Sequence, residues 1–138
     1  MKSRFLMTFA LLSAGFAQQP QDDPFKDYLF PPELVMQNQQ ALGLTEEQKN
    51  YLKNELRQAQ QRFTELQWKL EDEVERLTLL LREHTVDEPK ALAQLKKVLA
   101  AEHDIKQVQM TLLIRIKDHL KPEQQARLQE IQNKSRAR

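Results

Sequence analysis

The sequence predicts an all-α protein that consists of a long antiparallel helical hairpin flanked by two short helices. Three observations support this fold class. The 138 residues include only two glycines and no cysteine, and 30% of them are charged, which is typical of a single water-soluble helical domain. Two long stretches without helix breakers carry apolar residues at the helical period. A helix-start signature precedes the first stretch, and an altered copy follows the second.

Residues 1–17 have the three-part pattern of a secretory signal peptide. Lys2 and Arg4 precede an apolar run over residues 5–12, and small residues follow up to a cleavage site after Ala17. The alternative is a buried N-terminal helix or a membrane anchor, but the run is far shorter than the roughly 20 residues that span a bilayer. Cleavage would remove two of the 21 basic residues and none of the 20 acidic ones, which changes the formal charge from +1 to −1.

Residues 18–31 contain three prolines and three aromatic residues and have no sustained period, so we expect a flexible N-terminal arm. Its aromatic side chains either fold back onto the body of the protein or dock on a partner. Pro32 suits the first position of a helix. The apolar residues that follow predict a helix of about ten residues that stops at Gly43.

The second helix is predicted to begin at the stretch Leu44-Thr45-Glu46-Glu47-Gln48. Thr45 can accept a hydrogen bond from the backbone N–H of Gln48, and Gln48 can reach back to the N–H of Thr45, which forms a capping box. The helix should continue to Glu83 and measure about 58 Å. Its apolar stripe has an average spacing of about 3.6 residues, typical of a nearly straight helix packed on one partner. The stripe consists of Leu52, Leu56, Ala59, Phe63, Leu66, Leu70, Val74, Leu77 and Leu81.

The third helix is predicted to start after a turn at residues 84–86, with Asp87 as its cap, and to run to His119. Its stripe should pack antiparallel along the second helix and consists of Leu95, Val98, Ala101, Ile105, Val108, Leu112 and Ile116. Residues 110–116 are apolar on nearly every side. We therefore expect them to be covered on two faces, by the fourth helix and by a second protomer.

An altered copy of the helix-start signature begins the fourth helix. In this copy Lys121 replaces the hydroxyl cap, so Pro122 should start the helix by its fixed backbone angle alone. We predict that the helical domain spans residues 32–133 and that a solvated basic tail follows over residues 134–138. The residues of the two signatures are Leu44, Thr45, Gln48 and Leu52 in the first copy and Leu120, Glu123, Gln124 and Leu128 in the second.

The two boxes, the signal peptide and the helical pattern together resemble the Spy/CpxP-type periplasmic chaperones and stress adaptors, which are LTxxQ-box proteins related to the periplasmic heavy-metal sensors. The resemblance covers residues 32–133. It implies a periplasmic protein that forms a cradle-shaped homodimer and holds unfolded or aggregation-prone client proteins without ATP or a cofactor. The alternative that it implies is a sensor or binder of zinc, copper or nickel that signals to a membrane-bound partner.

The composition argues against an enzyme and against nucleic-acid binding. After cleavage the chain would have no cysteine, its only serine would be Ser135 in the tail, and its only glycine would be Gly43. It therefore lacks a nucleophile beside an oriented base and a glycine-rich loop for phosphates. A formal charge near zero also gives no reason to expect nucleic acid.

Metal binding depends on three histidines, His84, His103 and His119. The helix between the first and the last separates them by about 50 Å, so one protomer cannot bring all three to one ion. In the metal sensors that the chain resembles, a histidine and a methionine lie four residues apart just before the second box. Here these positions are Leu112 and Ile116, which predicts that the sensor-type site is absent. His103 remains a weak candidate for a site across a dimer, and the simpler interpretation is an exposed helical histidine.

Several large apolar residues lie off the predicted stripes. Trp68, for example, lies about 200° around the second helix from Leu66 and Leu70. We favour a dimer interface for most of these residues, and the alternative is an apolar surface mixed with arginine and lysine that holds unfolded chains loosely. The candidate client or dimer surface consists of Trp68, Leu79, Met110, Ile114, Arg62 and Lys69.

Overall fold

The computed structural model describes residues 24–138. This part of the chain forms four α-helices and no strand: α1 (Pro32–Gln37), α2 (Glu46–Leu81), α3 (Glu88–Asp118) and α4 (Pro122–Arg136). The predicted all-α class is therefore confirmed. None of these helices combines the length and the apolar character that a membrane span requires. The predicted signal peptide, residues 1–17, and the start of the predicted arm lie outside the described residues.

The helix α1 has six residues and is shorter than the predicted helix that reaches Gly43. The reason is Asn38, whose side-chain Nδ2 donates to the backbone oxygen of Leu34 at 2.7 Å and ends the helix. Turns follow as far as Gly43, which has a φ of 62°. This left-handed conformation favours glycine and reverses the chain before α2 begins.

The helices α2 and α3 form an antiparallel hairpin. At 36 residues, α2 is about 54 Å long. The contacts between the two helices show the antiparallel direction. Glu55 near the start of α2 pairs with Arg115 near the end of α3, and Glu73 later in α2 contacts Gln94 early in α3. After the turn, Asp87 caps α3 by accepting from the backbone N–H of Lys90 at 3.2 Å.

The hairpin is packed very differently at its two ends. We call the end where α1 and α4 join it the base and the end with the turn the tip. The base holds a cluster of eight buried apolar residues, whereas the tip holds a cluster of three. The base cluster consists of Phe30, Val35, Leu42, Leu44, Leu52, Ile116, Leu120 and Leu128, and the tip cluster of Leu77, Ala91 and Val98. Leu66 and Ala101 are buried between the two clusters.

Two positions depart from the predicted stripes. Leu81, the last residue of α2, is 53% exposed because the helix ends there and no neighbouring element covers it. Glu73, an acidic residue outside the predicted stripe, is buried. Its carboxylate and its backbone oxygen both accept hydrogen bonds from Nε2 of Gln94, at 2.5 and 2.9 Å. Gln94 is also buried, so α3 presents a polar side chain to α2 within the tip.

The segment before α1 and the end of α4 lie together. Phe30 is buried in the base cluster, while Phe25 and Tyr28 are exposed. The helix α4 continues to Arg136, into the segment that we predicted as a tail. The guanidinium of Arg136 pairs with the carboxylate of Asp27 at 2.5 Å. The two ends of the described chain are therefore joined at the base.

Candidate functional site

The first helix-start signature forms a complete capping box. The hydroxyl of Thr45 accepts from the backbone N–H of Gln48 at 3.1 Å, and Oε1 of Gln48 accepts from the N–H of Thr45 at 3.0 Å. Both orphan donors at the start of α2 are thus satisfied. The leucines of the two signatures lie in the base cluster, and Glu123 is exposed on the first turn of α4.

The second signature keeps half of this arrangement, which corrects our expectation that Pro122 starts α4 alone. Oε1 of Gln124 accepts from the backbone N–H of Lys121 at 2.9 Å. The lysine side chain has no acceptor, so it cannot complete the box. Gln125 adds a second connection, because its Nε2 donates to the backbone oxygens of Lys117 and Leu120 near the end of α3.

The glutamines of the two signatures hydrogen-bond to each other. Nε2 of Gln48 donates to Oε1 of Gln124 at 2.8 Å, and Nε2 of Gln124 donates back to Oε1 of Gln48 at 3.1 Å. Each Nε2 also donates to a backbone oxygen close to the other signature, that of His119 or of Leu42. Both side chains are buried, so their amides are satisfied entirely by protein groups. The starts of α2 and α4 are therefore joined by one polar network.

A histidine lies beside this network. The ring of His119 stacks on Tyr51 with 3.7 Å between the ring centroids, and its Nε2 lies 3.0 Å from a carboxylate oxygen of Glu47. The end of α3 is thereby held against the first turns of α2. These two contacts connect α3 to α2 at the base, and His119 is only partly exposed.

Two exposed apolar residues of α2, Trp68 and Leu79, face away from α3, unlike Leu81 at the end of the stripe. Nine residues of α-helix turn through about 900°, so Trp68 lies about 180° from the buried Leu77. Leu79 comes eleven residues after Trp68 and falls within about 20° of it. Their exposed fractions are 68% and 54%. We call this surface the α2 edge.

The exposed apolar residues of α3 likewise face away from α2. Leu92 precedes the fully buried Ala101 by nine residues and therefore lies about 180° from it. Leu99, Met110 and Ile114 share this side of α3 within about 40°. Leu92, Leu99 and Ile114 are about half exposed, and Met110 is partly buried. We call this surface the α3 edge.

The two edges lie on opposite sides of the hairpin, so the structure separates residues that the sequence analysis grouped together. Trp68 and Leu79 are on the α2 edge, and Met110 and Ile114 are on the α3 edge. Arg62 and Lys69 lie on neither edge: Arg62 lines a groove on one broad face, and Lys69, seven residues later, projects from the same face. The six candidate residues do not form one continuous surface on a single protomer.

The groove lies between α2 and α3 in the half of the hairpin nearer the base, is open to solvent and has a volume of about 420 Å³. Its walls come from both helices. The α2 wall consists of Glu55, Gln58, Ala59, Arg62 and Leu66, and the α3 wall of Asp104, Gln107, Val108, Thr111, Leu112 and Arg115.

The charges along the groove are balanced and mostly paired. Arg115 donates to the carboxylate of Glu55 across the groove at 2.9 Å, and this hydrogen bond, together with the charge of Glu55, raises the pKa of Arg115. Arg62 pairs with Glu65 on its own helix at 3.3 Å. The groove therefore has no strong electrostatic preference for either sign of charge.

The histidines are not assembled into a metal site. Among residues 24–138, no group of three or more histidine, aspartate and glutamate side chains is placed to hold an ion. His84 lies in the exposed turn, and His103 is exposed on the α3 edge beside Asp104. At the sensor positions, Ile116 is buried and Leu112 packs against the base cluster. Within a single chain, the residues from 24 to 138 do not fit a resident heavy-metal ion.

Nearly the whole chain matches a known protein family. A family model described as heavy-metal resistance matches residues 5–133. The chain belongs to the heavy-metal resistance family. This family comprises the Spy/CpxP-like LTxxQ-box proteins, so the resemblance inferred from the two signatures is confirmed. No curated protein and no solved structure matches the chain significantly.

The sequence-based predictions did not include three features of the structure: the contact between Gln48 and Gln124, the burial of Glu73 and the groove. A signal existed for the first, because a glutamine stands at the same position in both signatures. The groove had a weaker signal in Ala59, the smallest residue of the α2 stripe. Nothing in the local pattern distinguished Glu73 from its acidic neighbours.

Proposed function

We propose that this protein is an ATP-independent periplasmic chaperone or envelope-stress adaptor. It holds unfolded or aggregation-prone proteins on its helical surface, without catalysis and without a cofactor. The family membership supports this class of function. The predicted signal peptide supports export to the periplasm.

One observation carries the proposal: large apolar side chains remain about half exposed or more along both edges of the hairpin. They include Trp68 at 68%, Leu92 at 56% and Leu99 at 53%. Charged residues stand one helical turn from each of them: Glu65 and Asp72 from Trp68, and Lys96 from both Leu92 and Leu99. Scattered apolar groups on a charged surface favour weak, reversible contact with many sequences over tight binding of one ligand.

The proposal includes a homodimer and, for the adaptor role, a membrane-bound partner. A hairpin only two helices thick leaves part of its apolar surface wet, and a second copy would cover some of it. The half-exposed Ile114, within the apolar segment 110–116, favours the α3 edge for this contact. The α2 edge would then remain available to clients.

The test measures light scattering of a chemically denatured client that is diluted into buffer with the protein of residues 18–138 and no ATP. We expect protection at an equimolar ratio or below. Trp68→Ser should weaken protection severalfold, because it removes the largest exposed apolar side chain from the α2 edge.

The matched control is Gln61→Ser, which changes an exposed residue on the same side of α2 without removing apolar area. Sedimentation of both variants checks that the oligomeric state is unchanged. If the unaltered protein gives no protection, the chaperone function is refuted. If Trp68→Ser protects as well as the Gln61→Ser control, the α2 edge is not the client surface.

The family description also favours a second candidate, the binding of zinc, copper or nickel. His103 on the α3 edge is the residue that a dimer contact there would bring close to its copy. Calorimetric titration of chelator-treated protein with each metal tests this function. Micromolar or tighter binding that His103→Ala abolishes would establish it, and the absence of binding heat would exclude it.

A further inference from the structure

The groove between α2 and α3 displays polar groups that no other described residue uses. Gln58, Gln107 and Thr111 line it, and none of their side chains hydrogen-bonds to another residue within 24–138. Each offers a donor and an acceptor. They stand on both walls, so together they can satisfy donors and acceptors of a molecule that lies between the helices.

The lower part of the groove is apolar. Ala59 occupies a position in the α2 stripe, whose other residues are leucine, phenylalanine or valine, and its small side chain leaves room between the helices. Leu66 and Val108 line the same depression. The groove therefore combines a shallow apolar floor with unused amide and hydroxyl groups on its rim.

The dimensions match a short extended polypeptide. Beyond the Glu55–Arg115 ion pair, the α2 wall extends from Gln58 to Leu66, which is about 12 Å along the helix axis. A β-strand rises about 3.3 Å per residue, so about four extended residues fill this length. The four charges, on Glu55, Arg62, Asp104 and Arg115, sum to zero and thus complement a segment that is uncharged overall.

We propose that this groove binds the main chain of an extended, unfolded client segment. The glutamines and the threonine pair with backbone N–H and C=O groups, and the floor around Ala59 accepts one or two side chains. The proposal rests on the chaperone function for the identity of the occupant. It adds recognition through the backbone, which every unfolded sequence offers and which a folded protein has already paired internally.

The experiment measures fluorescence anisotropy of a labelled nine-residue peptide made of serine, threonine, glycine and two leucines. The double variant Gln58→Leu/Gln107→Leu keeps side-chain size and removes the amides. Because each net hydrogen bond changes an equilibrium about 2- to 12-fold, we expect the double variant to weaken binding at least about fivefold. Gln61→Leu, an exposed change outside the groove, should stay within about twofold of the unaltered protein.

A second probe separates backbone recognition from apolar capture. The same peptide with N-methylated amides keeps its side chains and loses its backbone donors. We expect it to bind at least about tenfold more weakly to the unaltered protein. If it binds equally, or if Gln58→Leu/Gln107→Leu binds the unmethylated peptide as tightly as the unaltered protein does, the groove does not recognise the main chain. Circular dichroism of each variant verifies the helical content.

The outcomes distinguish this proposal from the chaperone function. If the protein protects a denatured client but shows no measurable peptide binding, the chaperone function is supported and the proposed peptide binding in the groove is refuted. If the peptide binds with the expected variant effects but the client is not protected, peptide binding in the groove is supported and the chaperone function is refuted. A change of oligomeric state in the double variant, seen by sedimentation, would assign the groove to a second copy of the chain and overturn its assignment to clients.

Discussion

The base and the tip of the hairpin are made from the same two helices but differ in what surrounds them. At the base, α1, α4 and the residues before α1 enclose eight buried apolar residues, and the Gln48–Gln124 pair connects two helix starts. At the tip, two helices cover only three buried residues. The comparison indicates that the base provides most of the stability of the fold. The tip, where two helices cannot cover all the apolar side chains, provides solvent-exposed apolar surface.

The largest expected difference concerns buried leucines. Leu52 is 1% exposed at the base, and Leu77 is 7% exposed at the tip. Leu52→Ala should lower the free energy of unfolding by about 2–5 kcal/mol through lost burial and a cavity. Leu77→Ala should cost less, because the thin tip relaxes around the change. Urea denaturation of both variants measures the difference, and equal losses would contradict the division into base and tip.

The polar network should give the next largest effect. Gln124→Ala removes one of the two hydrogen bonds made by each end of the buried Gln48 amide, and it leaves the N–H of Lys121 without its acceptor. We expect a loss of about 1–3 kcal/mol in the free energy of unfolding. Adding Gln48→Ala completes a double-mutant cycle, and a coupling of at least about 0.5 kcal/mol is expected for directly bonded residues. Strictly additive losses would show that the pair does not connect the two helix starts energetically.

The smallest effect is a pH dependence at the start of α2. Lys49 donates to the carboxylate of Glu46 at 3.0 Å, and this hydrogen bond, followed by the charge of Lys49, lowers the pKa of Glu46 from its ordinary value of 4.5. A lowered pKa means that the contribution is present above the ordinary value and is lost as the pH falls through the folded value. It therefore disappears only in acid.

Lys49→Ala should return the pKa of Glu46 toward its ordinary value with little change in stability at neutral pH, because the Glu46 carboxylate is exposed to solvent. Carboxyl NMR titration measures this shift. Lys90→Ala, which removes the corresponding pair with Asp87 near the tip, serves as the control and should leave Glu46 unchanged. A Glu46 titration that is the same with and without Lys49 would exclude the lysine as the cause.

Much of the base was predictable because its signals are local. Thr45 and Gln48 are three residues apart, so the hydrogen bonds of the capping box depend only on the start of one helix. At the tip, Asp87 caps α3 through an equally local hydrogen bond. The stripe spacing likewise predicts two long helices that pack on each other, since periodicity places apolar residues on one side. The length of α1 was wrong because the side chain of Asn38 competes for a helix carbonyl.

The positions of the surface residues around the hairpin were harder to predict from the sequence. Periodicity shows that Trp68 and Met110 lie off their stripes, but each helix has its own angular reference. Only the packed hairpin shows that the two residues point in opposite directions. The same holds for the groove, whose walls become neighbours when α2 and α3 align with Glu55 opposite Arg115.

The sequence by itself determined where the helices begin, that two of them are long and that the chain belongs to an LTxxQ-box family, because these properties depend on residues within one or two helical turns of each other. The tertiary structure decided which polar groups are buried together. Gln48 and Gln124 are 76 residues apart, and Glu73 and Gln94 are 21 apart. Such pairs form only when the helices pack together, since burial then removes water and leaves each amide or carboxylate to be satisfied by the polar groups of the neighbouring helix.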